Sequence, residues 1–150
     1  MGFEALRKNG MMAHLLDSLE AGKNIGHYGR LVFAMVARHF VDDDALVEKL
    51  RQDPDCDEEQ ARTLVEQVKG RDYNPPRREK VLAFQAHQEF PICPNPEDPD
   101  ACNVYKDLQF PESVYAHISE YYEQKAHAHE HKEEEVRSSG PVEPPASTAS

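Results

Sequence analysis

The sequence has no tryptophan, and no apolar run approaches the ~20 residues that a helix needs to span a membrane. Its first residues, Met1–Arg7, lack the basic-then-apolar pattern of a secretory signal. We therefore expect a cytoplasmic protein with no membrane partner.

Positive charge is also scarce in this chain. Its 150 residues include 17 Lys and Arg against 28 Asp and Glu, which gives a formal net charge of -11. Proteins that coat nucleic acid or anionic membranes through bulk electrostatics usually carry the opposite sign. Any contact with phosphate must therefore depend on a local cluster of basic residues.

Cysteine occurs three times, at positions 56, 93 and 102. An odd number of cysteines, spread over a chain of this length, does not suggest the disulfide framework of a small secreted domain. Cys56 directly precedes a predicted helix cap, where a small apolar residue often packs. We therefore expect Cys56 to be a core residue.

Helical periodicity dominates the rest of the sequence. No stretch of any length alternates polar and apolar residues and no repeat occurs, so we predict an all-α fold. Length and composition predict one domain over residues 1–124, a compact bundle of about five to six helices. An irregular Pro-rich loop is predicted over residues 90–102. Residues 125–150 are predicted to be a disordered tail, because they contain too little apolar surface to fold alone.

Several helices have clear start and stop signals. Asp42–Asp44 is predicted to cap a short helix. Asp57 and Gln60 predict a reciprocal cap on a helix that ends at Gly70. Asn74, followed by two prolines, predicts the cap of the next helix. A leading packing helix is predicted from five apolar residues at helical spacing, Met11, Met12, Leu15, Leu16 and Leu19.

The longest apolar segment, residues 24–40, is predicted to be the central helix. His27, Arg30 and Arg38 fall on a narrow stripe beside its apolar face. Near the helix N-terminus, with Asn24 as the cap, free backbone N–H groups and the macrodipole favour an anion, so this stripe is a candidate anion-binding edge. The alternative is a core helix that extends two arginines toward solvent, with His27 in a local hydrogen bond.

A second candidate site lies in the basic segment 69–80. Arg71 and Arg77 supply guanidinium groups, which bind phosphate in a bidentate manner, and Tyr73 supplies a ring on which a base can stack. The alternative is an ordinary solvated helix start.

Short motifs follow one another between about residues 9 and 123. They are His27-Tyr28-Gly29-Arg30-Leu31, Pro54-Asp55-Cys56-Asp57-Glu58-Glu59, Val65-Glu66-Gln67-Val68, Tyr73-Asn74-Pro75-Pro76, Cys93 with Cys102, and the pair Tyr121 and Tyr122. Their order resembles the C-terminal iron-sulfur domain of the archaeo-eukaryotic primase large subunit. Each motif is short, and the specificity of the resemblance lies in their order.

The resemblance implies a cluster held by four cysteine thiolates. Cys93 and Cys102 match two of the ligand positions, whereas Met11 and Arg78 stand at the other two. Because neither a thioether nor a guanidinium replaces a thiolate, we expect no iron-sulfur cluster and no other cofactor. Cys93 and Cys102 are expected to be free thiols in a reducing cytoplasm, with a disulfide as the alternative. Arg78 is expected to pair with a loop carboxylate, such as Glu97, Asp98 or Asp100.

The resemblance also implies a function, that of a non-catalytic accessory subunit that recognises template-primer junctions or 5′-phosphate ends. His27 and Arg30 occupy the matching positions for this contact. The expected partners are single-stranded or primed nucleic acid, DNA or RNA, and a primase or polymerase catalytic subunit. Local chemistry adds four residues to the predicted binding set, Arg38, Arg71, Tyr73 and Arg77.

Other functions compete with this prediction. The sequence has no nucleophile with its base and no Gly-rich phosphate loop, so an enzyme is not expected. The net charge of -11 also suits a protein-interaction or scaffolding module that has kept the fold and lost nucleic-acid binding. A third possibility is a regulatory metal held by thiols and by the histidines of the tail.

Overall fold

The computed structural model describes residues 2–98 and 101–118, and its regular structure is helical. Those residues contain no strand, so the prediction of an all-α fold is confirmed. No helix in this part of the chain is long and apolar enough to cross a membrane. The helices are α1 (Gly2–Leu6), α2 (Gly10–Glu20), α3 (Gly26–Ala37), α4 (Asp43–Leu50), α5 (Glu58–Gly70), α6 (Arg78–Gln85) and α7 (Val104–Asp107).

The chain divides into two compact units, Met1–Gln109 and Phe110–Ser150. Helices α1 to α7 belong to the first unit. In the second unit, residues 112–118 are helical. The predicted domain end at residue 124, the tail at 125–150 and the tyrosine pair all lie outside the described residues, and so do two residues of the predicted Pro-rich loop.

Helix α3 is the central element of the first unit, because it packs against α2, α4, α5 and α6. Its apolar residues Val32, Phe33 and Val36 are fully buried. A helix that contacts neighbours on several sides is expected to be apolar around most of its circumference, as this one is. Helix α2 also contacts α3, and its five predicted core residues have no exposed surface: Met11, Met12, Leu15, Leu16 and Leu19.

The predicted caps of α4 and α5 are confirmed. The Asp42 side chain accepts a hydrogen bond from the Ala45 N–H at 2.8 Å. Asp57 and Gln60 form a reciprocal capping box, in which each side chain accepts from the other residue's backbone N–H. Helix α5 then ends at Gly70 as predicted. These local signals suffice because the cap and the groups it satisfies lie within one turn of each other.

The predicted start of α6 is wrong. The helix begins at Arg78 rather than after Asn74, and its N-cap residue, Arg77, makes no side-chain capping bond. A residue before proline is pushed out of the α region, and Pro75 itself precedes Pro76. The Pro75 carbonyl instead accepts a hydrogen bond from the Tyr105 hydroxyl, which holds this segment outside the helix.

The expectation of free thiols at positions 93 and 102 is also wrong. Cys93 and Cys102 form a disulfide, with their Cα atoms 5.8 Å apart. Both residues are buried, at 1% and 0% exposure. The fold brings the two residues to a separation that a disulfide can bridge, which their sequence spacing alone did not establish.

Candidate nucleic-acid interface

Arg30, a predicted phosphate ligand, is directed into the protein. Its guanidinium forms an ion pair with Asp53 at 2.8 Å, and the side chains of Arg30 and Asp53 are 11% and 0% exposed. Nη1 of Arg30 also donates to the Asn24 side-chain oxygen at 3.3 Å. The charge of Arg30 is therefore used to balance a buried carboxylate, since a buried Asp without a partner is strongly destabilising.

The N-terminal end of α3 has few open donors for an external anion. Ile25 N–H donates to the Asp53 carboxylate at 2.9 Å, and Gly26 N–H donates to the Asn24 side chain at 2.8 Å. Tyr28 N–H donates to the side-chain oxygen of Gln88 at 3.0 Å. Three backbone donors at this end of α3 are thus bonded to the protein's own side-chain oxygens.

Arg38 lies at the other end of α3, where it is the C-cap residue. Its guanidinium donates to the Asp72 carboxylate at 2.8 Å and to the Tyr73 carbonyl at 3.1 Å. The adjacent His39 is half-buried, and burial followed by the nearby Arg38 charge lowers its pKa to about 4. Arg38 therefore holds the turn that follows α5 against the end of α3.

His27 lies apart from two other predicted residues, Arg71 and Tyr73, which are close together at the end of α5. His27 is exposed at the start of α3, about 16 Å along the helix axis from Arg38. Arg71 is the exposed C-cap residue of α5, and Tyr73 in the following turn is half-buried. The fold thus brings Arg38 and Tyr73 together, and it places His27 at the far end of α3.

Helix α6 carries a row of side chains that sequence reasoning only partly identified. Arg77, Lys80, Phe84 and His87 follow one another at spacings of three, four and three residues, so they share one face of the helix. Arg77, Lys80 and His87 are exposed and Phe84 is half-buried. We call these four residues the α6 stripe. Of the four, only Arg77 belonged to the predicted binding set.

The α6 stripe continues onto the start of α3 through aromatic contacts. The ring of Phe84 stacks on that of Tyr28, with centroids 5.2 Å apart and planes inclined by 17°. Lys80 Nζ lies 5.6 Å from the Phe84 ring centroid. The rings of His87 and His27 contact Tyr28 at 5.9 Å and 5.2 Å. A surface cluster of two stacked rings, one lysine and two imidazoles results.

Gln88 holds the two helices in this arrangement. Besides accepting from Tyr28 N–H, its amide donates to the carbonyls of Ile25 at 2.9 Å and Phe90 at 3.1 Å. A Cβ at Gly26 would collide with the Gln88 side chain, and Gly26 has a φ of 83°. The sequence shows that Lys80 and Phe84 are four residues apart and so share a helix face. Nothing in the sequence indicates that the Phe84 ring stacks on Tyr28.

The residues that match the cluster ligands do not fit an iron-sulfur group. Met11 is fully buried in the apolar core. Arg78 donates to the Pro96 carbonyl at 2.6 Å. Of the carboxylates predicted to pair with it, Glu97 and Asp98 are not at ion-pair distance from its guanidinium in the part of the chain that the structure describes, and Asp100 lies outside the described residues. Cys93 and Cys102 are joined in the disulfide, so neither offers a thiolate. Within residues 2–98 and 101–118 no group of three or more His, Cys, Asp and Glu side chains has a geometry that suits a metal ion.

Cys56 is the remaining cysteine, and it is buried. Burial raises the pKa of its thiol, because the thiolate is poorly solvated there. This environment suits a core residue, as predicted, and not a nucleophile.

Comparisons with protein-family models, with curated proteins and with solved structures give no match. The resemblance to the primase large-subunit domain therefore stays a prediction that rests on the order of its motifs.

Proposed function

We propose that this chain is a non-catalytic accessory domain that binds single-stranded or primed nucleic acid through the α6 stripe and Tyr28. The observation that carries the proposal is the half-buried Tyr28–Phe84 stack with Lys80 over it and two imidazoles beside it. Aromatic faces stack bases of any sequence, and neighbouring cations hold the phosphates. No reaction on the nucleic acid is proposed.

The local charge supports this proposal despite the net charge of -11. Residues 71–88 contain four Lys and Arg against two Asp and Glu, whereas residues 42–70 contain four against ten. Within the described residues Lys80 has no carboxylate at ion-pair distance, and it lies over a ring instead. Because the α6 stripe is basic and aromatic and the protein as a whole is acidic, local binding of one strand is favoured over nonspecific binding along a duplex.

The resemblance to the primase large-subunit domain supports the same proposal through His27, which is exposed beside Tyr28. It also suggests a template-primer junction as the ligand and a primase or polymerase catalytic subunit as the protein partner. Arg30 has a different role in this proposal, because its ion pair with Asp53 holds the start of α3. Arg30 is therefore a positioning residue rather than a phosphate ligand.

The test is binding of a fluorescein-labelled single-stranded oligonucleotide, measured by anisotropy at several salt concentrations. Phe84→Leu or Tyr28→Leu is expected to raise Kd by about 5- to 150-fold, because one stacked base contributes about 1–3 kcal/mol. Lys80→Gln is expected to reduce the slope of log Kd against log salt by about one. Circular dichroism checks that each variant remains folded.

The matched control is the pair formed by Phe3 and Lys49, where Nζ lies 5.0 Å from the ring centroid. Phe3 also stacks on Phe33 at 6.2 Å, so Phe3→Leu removes a stacked ring with a lysine over it from another part of the molecule. This variant is expected to bind as the wild type does. Equal losses in Phe3→Leu and Phe84→Leu, or no binding by the wild type, would contradict the proposal.

A second candidate function is a protein-interaction module for a basic partner. The observation in its favour is the excess of acidic residues over positions 42–70. If this function is correct, a basic partner is retained in a pull-down at moderate salt. The Lys80→Gln and Phe84→Leu variants then retain the partner as well as the wild type does. This function also predicts that the oligonucleotide does not bind.

A further inference from the structure

A second cation–aromatic pair lies at the other end of the α6 stripe. The guanidinium carbon of Arg77 lies 5.7 Å from the centroid of the Tyr105 ring. Arg77 is exposed and Tyr105 is half-buried. A guanidinium plane and a phenol ring both stack nucleic-acid bases, so this pair has the same chemistry as the Tyr28–Phe84 cluster.

The position of the Tyr105 ring is fixed by its surroundings. Its hydroxyl donates to the Pro75 carbonyl, and its backbone N–H donates to the Asn103 side chain at 3.1 Å. Pro75 and the adjacent residue Val104 are buried. A ring that is held at both its hydroxyl and its backbone loses little freedom when a base stacks on it, which favours binding.

The backbone positions of Arg77 and Phe84, one at each site, have a spacing that suits a single strand. Arg77 and Phe84 are seven residues apart, which corresponds to about 10 Å along a helix. Successive nucleotides of a stacked strand rise by about 3.4 Å, so three steps cover about 10 Å. Lys80 lies between the two positions on the same face, where the intervening phosphates would pass.

We propose that the α6 stripe binds about four consecutive nucleotides of a single strand, with one base at Arg77 and Tyr105 and another at Phe84 and Tyr28. This inference rests on the proposed function and adds to it a second position, a footprint and a preference for unpaired bases. Both positions need an open base face, which a continuous duplex does not offer. Lys80 binds the phosphates between the two bases.

The experiment compares 5′-labelled oligothymidylates of two, four and six nucleotides at one low salt concentration. In the wild type, Kd is expected to fall at least fivefold from the dinucleotide to the tetranucleotide and to change little beyond it. In Tyr105→Leu this gain is expected to be lost, so that the three Kd values lie within about threefold. Tyr105→Phe keeps the ring and is expected to keep most of the gain.

Arg77→Gln is compared with Arg71→Gln, which removes an exposed guanidinium at the end of α5. We expect the loss of affinity in Arg77→Gln to depend on the length of the oligonucleotide. In Arg71→Gln we expect affinity to fall by the same, salt-sensitive factor at every length. If Phe84→Leu weakens binding while Tyr105→Leu binds all lengths as the wild type does, the second position is wrong and the proposed function stands. If the wild type binds none of the oligonucleotides, both are wrong.

Discussion

Consecutive helices α5 and α6 are held in the fold by different means. Helix α5 begins with the Asp57–Gln60 capping box, whereas α6 has no side-chain cap. Helix α6 buries only Val81 among its own residues. Helix α5 buries four apolar residues, Ala61, Leu64, Val65 and Val68. Each buried aliphatic side chain contributes about 1.5–3 kcal/mol to the free energy of unfolding. The packing of α5 therefore depends more on its own buried residues than the packing of α6 does.

Helix α6 is held mainly by bonds to segments outside it. Arg78 donates to the Pro96 carbonyl at 2.6 Å, and the Gln85 side chain accepts from Cys93 N–H at 2.7 Å. Gln88, just beyond the helix, bonds the start of α3. None of these three residues belongs to the α6 stripe. The exposed members of the stripe, Arg77, Lys80 and His87, therefore make none of these three bonds.

The charges on the two helices differ in the same way. On α5, Arg62 pairs with Asp44 at 3.3 Å and Glu58 at 3.2 Å, and Lys69 pairs with Asp43 at 2.8 Å. On α6, the charged groups of Lys80 and Arg77 lie over rings. The two helices thus carry similar numbers of basic residues, but these side chains contact different groups.

The largest expected effect concerns Asp53, on the turn that leads into α5. Asp53→Ala leaves Arg30 and Ile25 N–H without their buried partner, so we expect the free energy of unfolding to fall by about 3–5 kcal/mol. Urea denaturation followed by circular dichroism measures the loss. Asp55→Ala is the control, because Asp55 is 70% exposed and 3.9 Å from Arg30, and it is expected to cost less than about 1 kcal/mol. Equal losses of stability in the two variants would contradict the role of Asp53 as the buried partner of Arg30.

An intermediate effect is expected on the α6 side from the disulfide. Cys93→Ala combined with Cys102→Ala opens a loop with a sequence separation of 9, so we expect a loss of about 2–3 kcal/mol. The wild type is also expected to lose stability on addition of a dithiol reductant, whereas the double variant is not. Denaturation midpoints with and without the reductant test this. A double variant as stable as the oxidised wild type would show that the disulfide contributes little to holding α6.

A smaller effect is expected at His39, beside the turn between α5 and α6. Burial and then the Arg38 charge lower its pKa from 6.5 to about 4, while the Asp72 carboxylate acts in the opposite direction. Between these values the unfolded chain binds a proton that the folded chain does not, so stability falls as the pH is lowered from 6.5 to 4. Denaturation midpoints across this interval should show a shallower fall in His39→Gln. An NMR titration of the His39 ring with a pKa near 6.5 would contradict this prediction.

Much of the fold could be predicted from short-range patterns. The apolar spacing of α2, the Asp42 cap and the Asp57–Gln60 box were recognised because each depends on residues within a few turns of one another. The start of α6 was missed because a contact from Tyr105, far along the chain, holds Pro75 outside the helix. Helices α1 and α7, with five and four residues, have too few positions to show a period.

The residues of the proposed surface were predicted from the sequence less completely than the fold was. Arg30 and Arg38 have the composition of phosphate ligands, but their direction depends on Asp53 and Asp72, which lie on other segments. His27 and Arg77 are exposed as a binding role requires. Tyr28, Phe84 and Lys80 were not selected, because a stack between two helices has no signature in either helix alone.

The sequence by itself determined that this chain is helical, that α3 is its most apolar element, and that basic residues gather between α5 and α6 in an otherwise acidic protein. Those properties follow from the period and composition of neighbouring residues. The tertiary structure alone decided which arginines balance buried or adjacent carboxylates and which cations lie over half-buried rings. That distinction depends on contacts between residues far apart in the sequence, whose distances only packing sets.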